Sequence, residues 1–195
     1  VARIEDGAKQ AARYVWFTPG AAASDAAAGA VQPAVTLTIT KKPGQNAVDV
    51  AKAVALMAVH PGDVLEYAWD HPQVRPMDRA LPYFVAVPTT SGTGSEVGRS
   101  SVISDDGTHI KKVLFSPVLL AKAVFADPEL TLGLPPFITA ATGMDALTHN
   151  VESYLSPAYH PLCDGIALEG LRIGARALAT AVAEPGNLAA RADMM

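Results

Sequence analysis

Cysteine is nearly absent. With Cys163 alone the chain can form no internal disulfide and no multi-cysteine zinc site, a usage that agrees with a reducing compartment and makes the cytoplasm the expected location. A surplus of basic charge is also lacking: 15 Lys and Arg against 19 Asp and Glu give a formal charge of -4, which offers no electrostatic reason to bind nucleic acid or an anionic membrane. A small molecule is the expected partner. No uninterrupted apolar run approaches the ~20 residues that a membrane helix needs, and the opening VARIEDGAKQ has neither the apolar segment of a signal peptide nor an initiator methionine, so it is expected to start within a gene. Against these absences stands a chain of 195 residues, 50% hydrophobic and 17% charged, long enough to bury a core as one domain or as one domain and part of another.

The first forty residues carry an Ala/Gly-rich stretch, TPGAAASDAAAGAVQPA, with no clear period, which reads as a linker or a poorly ordered segment. VTLTIT, Val35 to Thr40, alternates apolar and polar β-branched positions as a strand does, and PGQN after it is turn chemistry. From Ala47 the apolar positions Val50, Val54, Met57 and Ala58 recur at helical spacing until HPG at His60 to Gly62. YFVAVP (Tyr83 to Pro88) and AVFAD (Ala123 to Asp127) are short apolar runs of the kind found in buried parallel strands, so the expected class is α/β. After PELTLGLPP only helical patterns follow, from Asp145 to Leu155 and again from Pro161. The domain boundary is therefore expected near Leu130 to Pro136, with an α/β domain over 1–130 and the start of an all-helical domain over 131–195. Residues 137–195 hold too few helices to close a core by themselves, so Leu171 and Leu178 are expected to be exposed.

Three segments can carry chemistry. PTTSGTGSE, Pro88 to Glu96, follows an expected strand; its glycines let backbone approach a ligand, and Thr89, Thr90, Thr93 and Ser95 offer hydroxyls and amides to phosphate or ribose oxygens. It is not a Walker motif, and a Ser/Thr/Gly loop of this composition is more often a plain connection. PGQNAVDVAKAV feeds a turn into a helix N-terminus, which can meet an anion or can simply be a capped start with Asn46 as N-cap and Asp49 in the first turn. TGMDALTHNVESYLS places Asp145 and His149 four residues apart, neighbours on one helical face and able to converge on a metal ion, opposite an apolar face of Leu147, Val151 and Tyr154. The competing reading makes Thr142 and Asp145 a capping box at a helix start.

Taken in order, VPTTSGTGSEV, SVISDDGTHIKK, ADPELTLGLPP and TAATGMDALTHNVESYLSPAYHPLCDGIALEG resemble the iron-containing (group III) alcohol dehydrogenase family from about Ala47 onward. The resemblance implies a dinucleotide-binding, Rossmann-like α/β domain followed by an all-helical metal domain, with catalysis between them. It further implies that Asp145 and His149 are two of the ligands in a site of one aspartate and three histidines around Fe(II), sometimes zinc. The implied reaction is hydride transfer between a small alcohol or aldehyde and NAD or NADP, with the metal as Lewis acid. By the same carry-over Thr89, Thr90, Thr93 and Ser95 belong to the loop at the cofactor and Lys111 lies near its ribose. The family's diphosphate loop falls on Pro43 to Asp49, placing Gly44 and Asn46 at the cofactor, although two of its three glycines and its serine are replaced there. Gly98 stands where many relatives have threonine. His60, His71, His109 and His160 receive no ligand role, and no histidine follows His160, so the sequence contains half of the implied metal site. The expectation is a fragment of such an enzyme, assembled as a homo-oligomer; the alternative is a truncated, non-catalytic nucleotide-binding remnant.

Overall fold

The structure, a computed structural model, describes residues 46–195 and, before them, the backbone of two short strands. Those strands, β1 (Val15–Phe17) and β2 (Gln32–Ala34), pair antiparallel with Val15 opposite Ala34 and Phe17 opposite Gln32, and belong to a compact unit over Val1–Pro43. β2 falls on the stretch read as a linker. The strand expected over Val35 to Thr40, and Gly44, lie outside the described residues. A second compact unit spans Gly44–Met195.

In that unit α1 (Ala47–Met57) starts where its chemistry dictates. Asn46 is extended, and its side-chain oxygen accepts from the amides of Val48 (2.8 Å) and Asp49 (3.4 Å), so the expected cap forms. The chain leaves the helix through Gly62, whose φ of +92° is accessible to glycine at little cost. β3 (Val85–Ala86) and β6 (Ala123–Val124), both inside expected strands, form a parallel pair extended by Lys122 donating to the Phe84 carbonyl and Phe125 to that of Ala86. Between them in sequence lies an antiparallel hairpin, β4 (Ser100–Ser104) and β5 (Lys111–Phe115). Its turn is organised by Asp105, whose carboxylate accepts from the Gly107 amide (2.9 Å) and the Thr108 hydroxyl (2.7 Å).

The core of this part is Ala53 and Leu56 of α1, Tyr67, Leu81, Ile103 of β4, Leu114 of β5 and Leu119. Ser101 ties β4 to α1 by donating to the Asp49 carbonyl at 2.7 Å, fully buried. His60, buried beside Tyr67, has Nδ1 3.1 Å from the Leu56 carbonyl and Nε2 accepting from the Arg79 amide at 3.1 Å; the pattern assigns a neutral imidazole with its proton on Nδ1. It is a structural histidine, as its sequence context suggests.

Three helices follow: α2 (Pro136–Tyr154), α3 (Pro161–Ala183) and α4 (Leu188–Met194). α3 begins at the expected residue and is capped by His160, whose ring accepts from the Cys163 amide. α2 starts nine residues before Asp145, because Pro135 and Pro136 suit a first turn better than an interior. Thr142 and Asp145 are therefore mid-helix, and the capping-box reading is wrong; the Thr142 hydroxyl instead donates to the Ile138 carbonyl at 3.0 Å.

The α2–α3 seam is built on glycine. Gly143 faces Leu178, Leu147 faces Gly174 and Asn150 faces Gly170, a ladder that runs in opposite senses along the two helices. Leu147 thus belongs to the seam, whereas Val151 and Tyr154, expected on the same apolar face, are exposed. Leu171 and Leu178 are likewise half-buried rather than exposed. Phe137, Leu155, Leu162 and Ile166, each 71–74% exposed, are among the apolar residues left in solvent. A Cβ on Gly143 would collide with Leu178 and approach Met194 Cε to 3.1 Å, so Gly143→Val should destabilise the chain by about 1–3 kcal/mol despite a slightly better helix propensity. Gly165→Ala, in α3 with nothing near its missing Cβ, should stabilise by up to about 1 kcal/mol. Urea denaturation of the two variants checks the opposite signs.

Candidate functional site

The 88–96 loop and the first turns of α1 are a single polar construction. Asn46, having spent its oxygen on the helix cap, donates its amide to the Thr93 hydroxyl oxygen at 2.9 Å. Thr93 Oγ1 lies 3.0 Å from Ser95 Oγ and accepts weakly from the Ser95 amide at 3.3 Å. The Ser95 hydroxyl also faces Asp49, where it helps to hold the carboxyl pKa down against its burial. Asn46, Thr93 and Ser95 thus form one hydrogen-bonded chain, in which either hydroxyl of the Thr93–Ser95 pair can donate. The hydroxyls of Thr93 and Ser95 are thus engaged within the fold, while Thr89 and Thr90 are exposed. Gly94 holds φ +60° at the start of the 3₁₀ turn Ser95–Val97, a conformation that favours glycine.

Beneath this chain lies Lys52, which the sequence reading passed over. Its side chain is fully buried, and Nζ donates to the carbonyls of Ser95 (2.5 Å), Gly98 (2.7 Å) and Ser100 (2.8 Å). Three protons meet three carbonyls, which only the ammonium form can satisfy. Burial pushes the Lys52 pKa down, opposed by attraction from Asp49 and then Glu96; burial pushes Asp49 up, opposed first by Lys52 and then by the Val102 amide and the Ser95 hydroxyl. The legible signal was a lysine among alanines, Ala51-Lys52-Ala53, one turn after Asp49 on the face that also carries Leu56. Asn46→Ala removes both the helix cap and the bridge to Thr93, and is expected to cost about 1–2 kcal/mol by thermal denaturation.

Asp145 and His149 project together from α2, with Oδ1 and Nε2 3.7 Å apart and both side chains about half exposed. One carboxylate oxygen and one imidazole nitrogen at this separation suit two positions around a single iron or zinc ion with little side-chain adjustment. Among the described residues no group of three or more His, Cys, Asp or Glu comes together, so this pair has no third protein donor there. The pair is close to the loop: a methyl group on Gly92 would come within 3.0 Å of the Thr142 carbonyl, one helical turn before Asp145. Lys111 is not part of this cluster. It is exposed, opposite Ser104 at the turn end of the hairpin, whereas the loop enters at Ser100.

Sequence comparison matches residues 44–128 to the profile described as iron-containing alcohol dehydrogenase and residues 139–195 to that of the Fe-containing alcohol dehydrogenase family, C-terminal. The chain belongs to the iron-containing alcohol dehydrogenase family. Among its relatives is the 4-hydroxybutyrate dehydrogenase of Cupriavidus necator, 47% identical over 154 residues that make up 78% of this chain and 40% of that protein. The crystal structure of a 1,3-propanediol oxidoreductase superposes with a TM-score of 0.70 at 42% identity, over 77% of this chain and 38% of the other. Sulfoacetaldehyde reductase from Bifidobacterium kashiwanohense, solved in complex with NAD+, gives a TM-score of 0.66 at 36% identity over 76% and 39%. The chain thus spans about two-fifths of the length of these family members. Its mixed α/β part followed by helices is the partial architecture such matches require. Among the described residues no helix is long and apolar enough to cross a membrane.

Proposed function

We propose that this chain supplies the nucleotide-binding loop and two metal ligands of an NAD(P)-dependent alcohol dehydrogenase. The observation that carries the proposal is the close approach of Gly92 to Thr142, which sets the polar loop built on α1 about one helical turn from Asp145 and about two from His149. The change from mixed α/β to helices near residues 130–136 is then the division between a nucleotide domain and a metal domain.

In this reading the loop amides and the exposed Thr89 and Thr90 hydroxyls meet the dinucleotide, while Asn46, Thr93, Ser95 and Lys52 hold the loop in shape. Gly44 and Asn46 flank the diphosphate, and Lys111 reaches a ribose. Asp145 and His149 would hold Fe(II) or Zn(II), which when bound supplies Lewis-acid polarisation of the substrate oxygen. The chain's own residues orient the nicotinamide ring and the alcohol for hydride transfer. The substrate is a small primary alcohol, a diol or a hydroxy acid, or the corresponding aldehyde, a class supported by the names of the propanediol and hydroxybutyrate relatives. The reading further takes the enzyme to work as a cytoplasmic homo-oligomer, and the lone exposed Cys163 agrees with a reducing compartment.

Titration of NADH and NADPH, followed by nucleotide fluorescence, tests the binding half. A hydrogen bond to a charged group contributes about 1.5–3 kcal/mol, so Thr93→Val, which breaks the chain that shapes the loop, and Lys111→Ala should each weaken the preferred nucleotide about ten-fold or more. Measurable affinity that Thr93→Val does not lower would show that the loop is a connection only, and affinity unchanged in Lys111→Ala would remove Lys111 from the site.

A further inference from the structure

Arg191, on α4, is 2% exposed, an unusual position for a guanidinium. Its Nε donates to the Pro185 carbonyl at 3.1 Å, just beyond the C-terminus of α3, where the helix dipole favours a cation. Nη1 donates to the Thr139 hydroxyl of α2 at 2.8 Å. Nη2 is buried and finds no hydrogen-bond partner among the described residues. An unmet charged donor in a protein interior is costly, so this atom calls for an acceptor.

A cavity of about 10 Å³ is lined by Arg191 together with Ser91 of the loop, Thr142 and Gly143 of α2, and Met194 of α4. That volume admits one water and no organic ligand. The donor balance also favours water over an anion. Thr142 has committed its hydroxyl proton to the Ile138 carbonyl and retains lone pairs, so an occupant that donates as well as accepts can meet both Thr142 and Arg191. Water does both; a halide or a carboxylate does only one.

We propose that this cavity is a binding site for a single water, which accepts from Arg191 Nη2, donates to Thr142 Oγ1, and with Ser91 fixes the 88–96 loop against α2 and α4. Arg191 is thereby a positioning residue for the loop. Its relevance to nucleotide binding rests on the function proposed above, whereas the water and the ordering of the loop do not.

Two measurements on the 195-residue chain test the site. A high-resolution crystal structure is expected to show one ordered water about 2.7–3.2 Å from Nη2; a dry cavity, or a direct protein acceptor on Nη2, would overturn the proposal. Amide hydrogen exchange read over residues 88–96 is expected to quicken about ten-fold in Arg191→Met and in Thr142→Val, with the β4–β5 amides as internal reference. Thr142→Val removes only a helix back-bond and the water's acceptor, so it carries the test if Arg191→Met does not fold. Loop exchange that stays at the wild-type rate in folded Thr142→Val would overturn the role of the water.

Discussion

Lys52→Met is expected to destabilise the protein by about 3–5 kcal/mol, a large share of the ~5–15 kcal/mol that a domain commands. Methionine replaces the apolar stem, so little packing is lost; the cost comes from the three carbonyls of Ser95, Gly98 and Ser100, which keep their burial and lose their donor. Asp49, 5% exposed, loses its strongest charge partner at the same time. For a chain of this size the melting temperature should fall by about 10 °C or more. Breaking the exposed Arg172–Glu169 pair should leave the midpoint nearly unchanged.

The substitution also has a signature in pH. Asp49 has its pKa raised by burial, so its contribution to stability is fully present below the ordinary 3.8 and is lost as pH rises through the elevated folded value. Lys52 has its pKa lowered by burial, so its contribution is present above the ordinary 10.5 and is lost as pH falls through the lowered folded value. Near neutrality the fold bears both costs, offset by the attraction between the two. Without Lys52 the Asp49 pKa rises further, and the deficit of the variant should narrow as pH falls from neutrality through that raised folded value toward the ordinary 3.8. Urea midpoints across that range check it.

The second large effect concerns metal. Two protein donors and water leave an ion mostly hydrated, so the chain should bind Zn(II) or Fe(II) weakly and release it on dialysis. Asp145→Ala and His149→Ala should each weaken even this binding markedly, since each removes one of the two donors that come together among the described residues. Isothermal titration with Zn(II) of the wild type and both variants reads the effect. A stoichiometric ion that survives dialysis and survives Asp145→Ala would move the site elsewhere.

The juxtaposition of Asp145 and His149 was legible because four-residue spacing on a helix fixes which side chains are neighbours wherever the helix begins. The helix start itself was not, since Thr142-x-x-Asp145 mimics a cap and the true start, Pro135-Pro136, carries no side-chain cap at all. Asn46 and the α1 start were readable from local chemistry alone, as were β3 and β6 from their apolar runs. The β4–β5 hairpin was missed although Asp-Asp-Gly sits between two β-branched runs, because its long turn, closed by Asp105, is not a two-residue type. Lys52 and Arg191 belong to another class: the carbonyls that hold Lys52 and the Thr139 hydroxyl that meets Arg191 lie 43–52 residues away, so local sequence offers at most a lysine among alanines and does not name these partners. The exposure expected for Leu171 and Leu178 failed for a related reason, because α2 packs on α3 through glycines and buries those leucines by half without further helices.

Paramagnetic relaxation gives the most direct test that the nucleotide loop and the Asp145/His149 pair form one site. With NAD+ bound and Co(II) added, the nicotinamide protons should broaden far more than those of the adenine, and Asp145→Ala should abolish the difference. Equal broadening at both ends of the nucleotide, or selective broadening that persists in Asp145→Ala, would show that the metal pair and the cofactor loop do not serve one reaction.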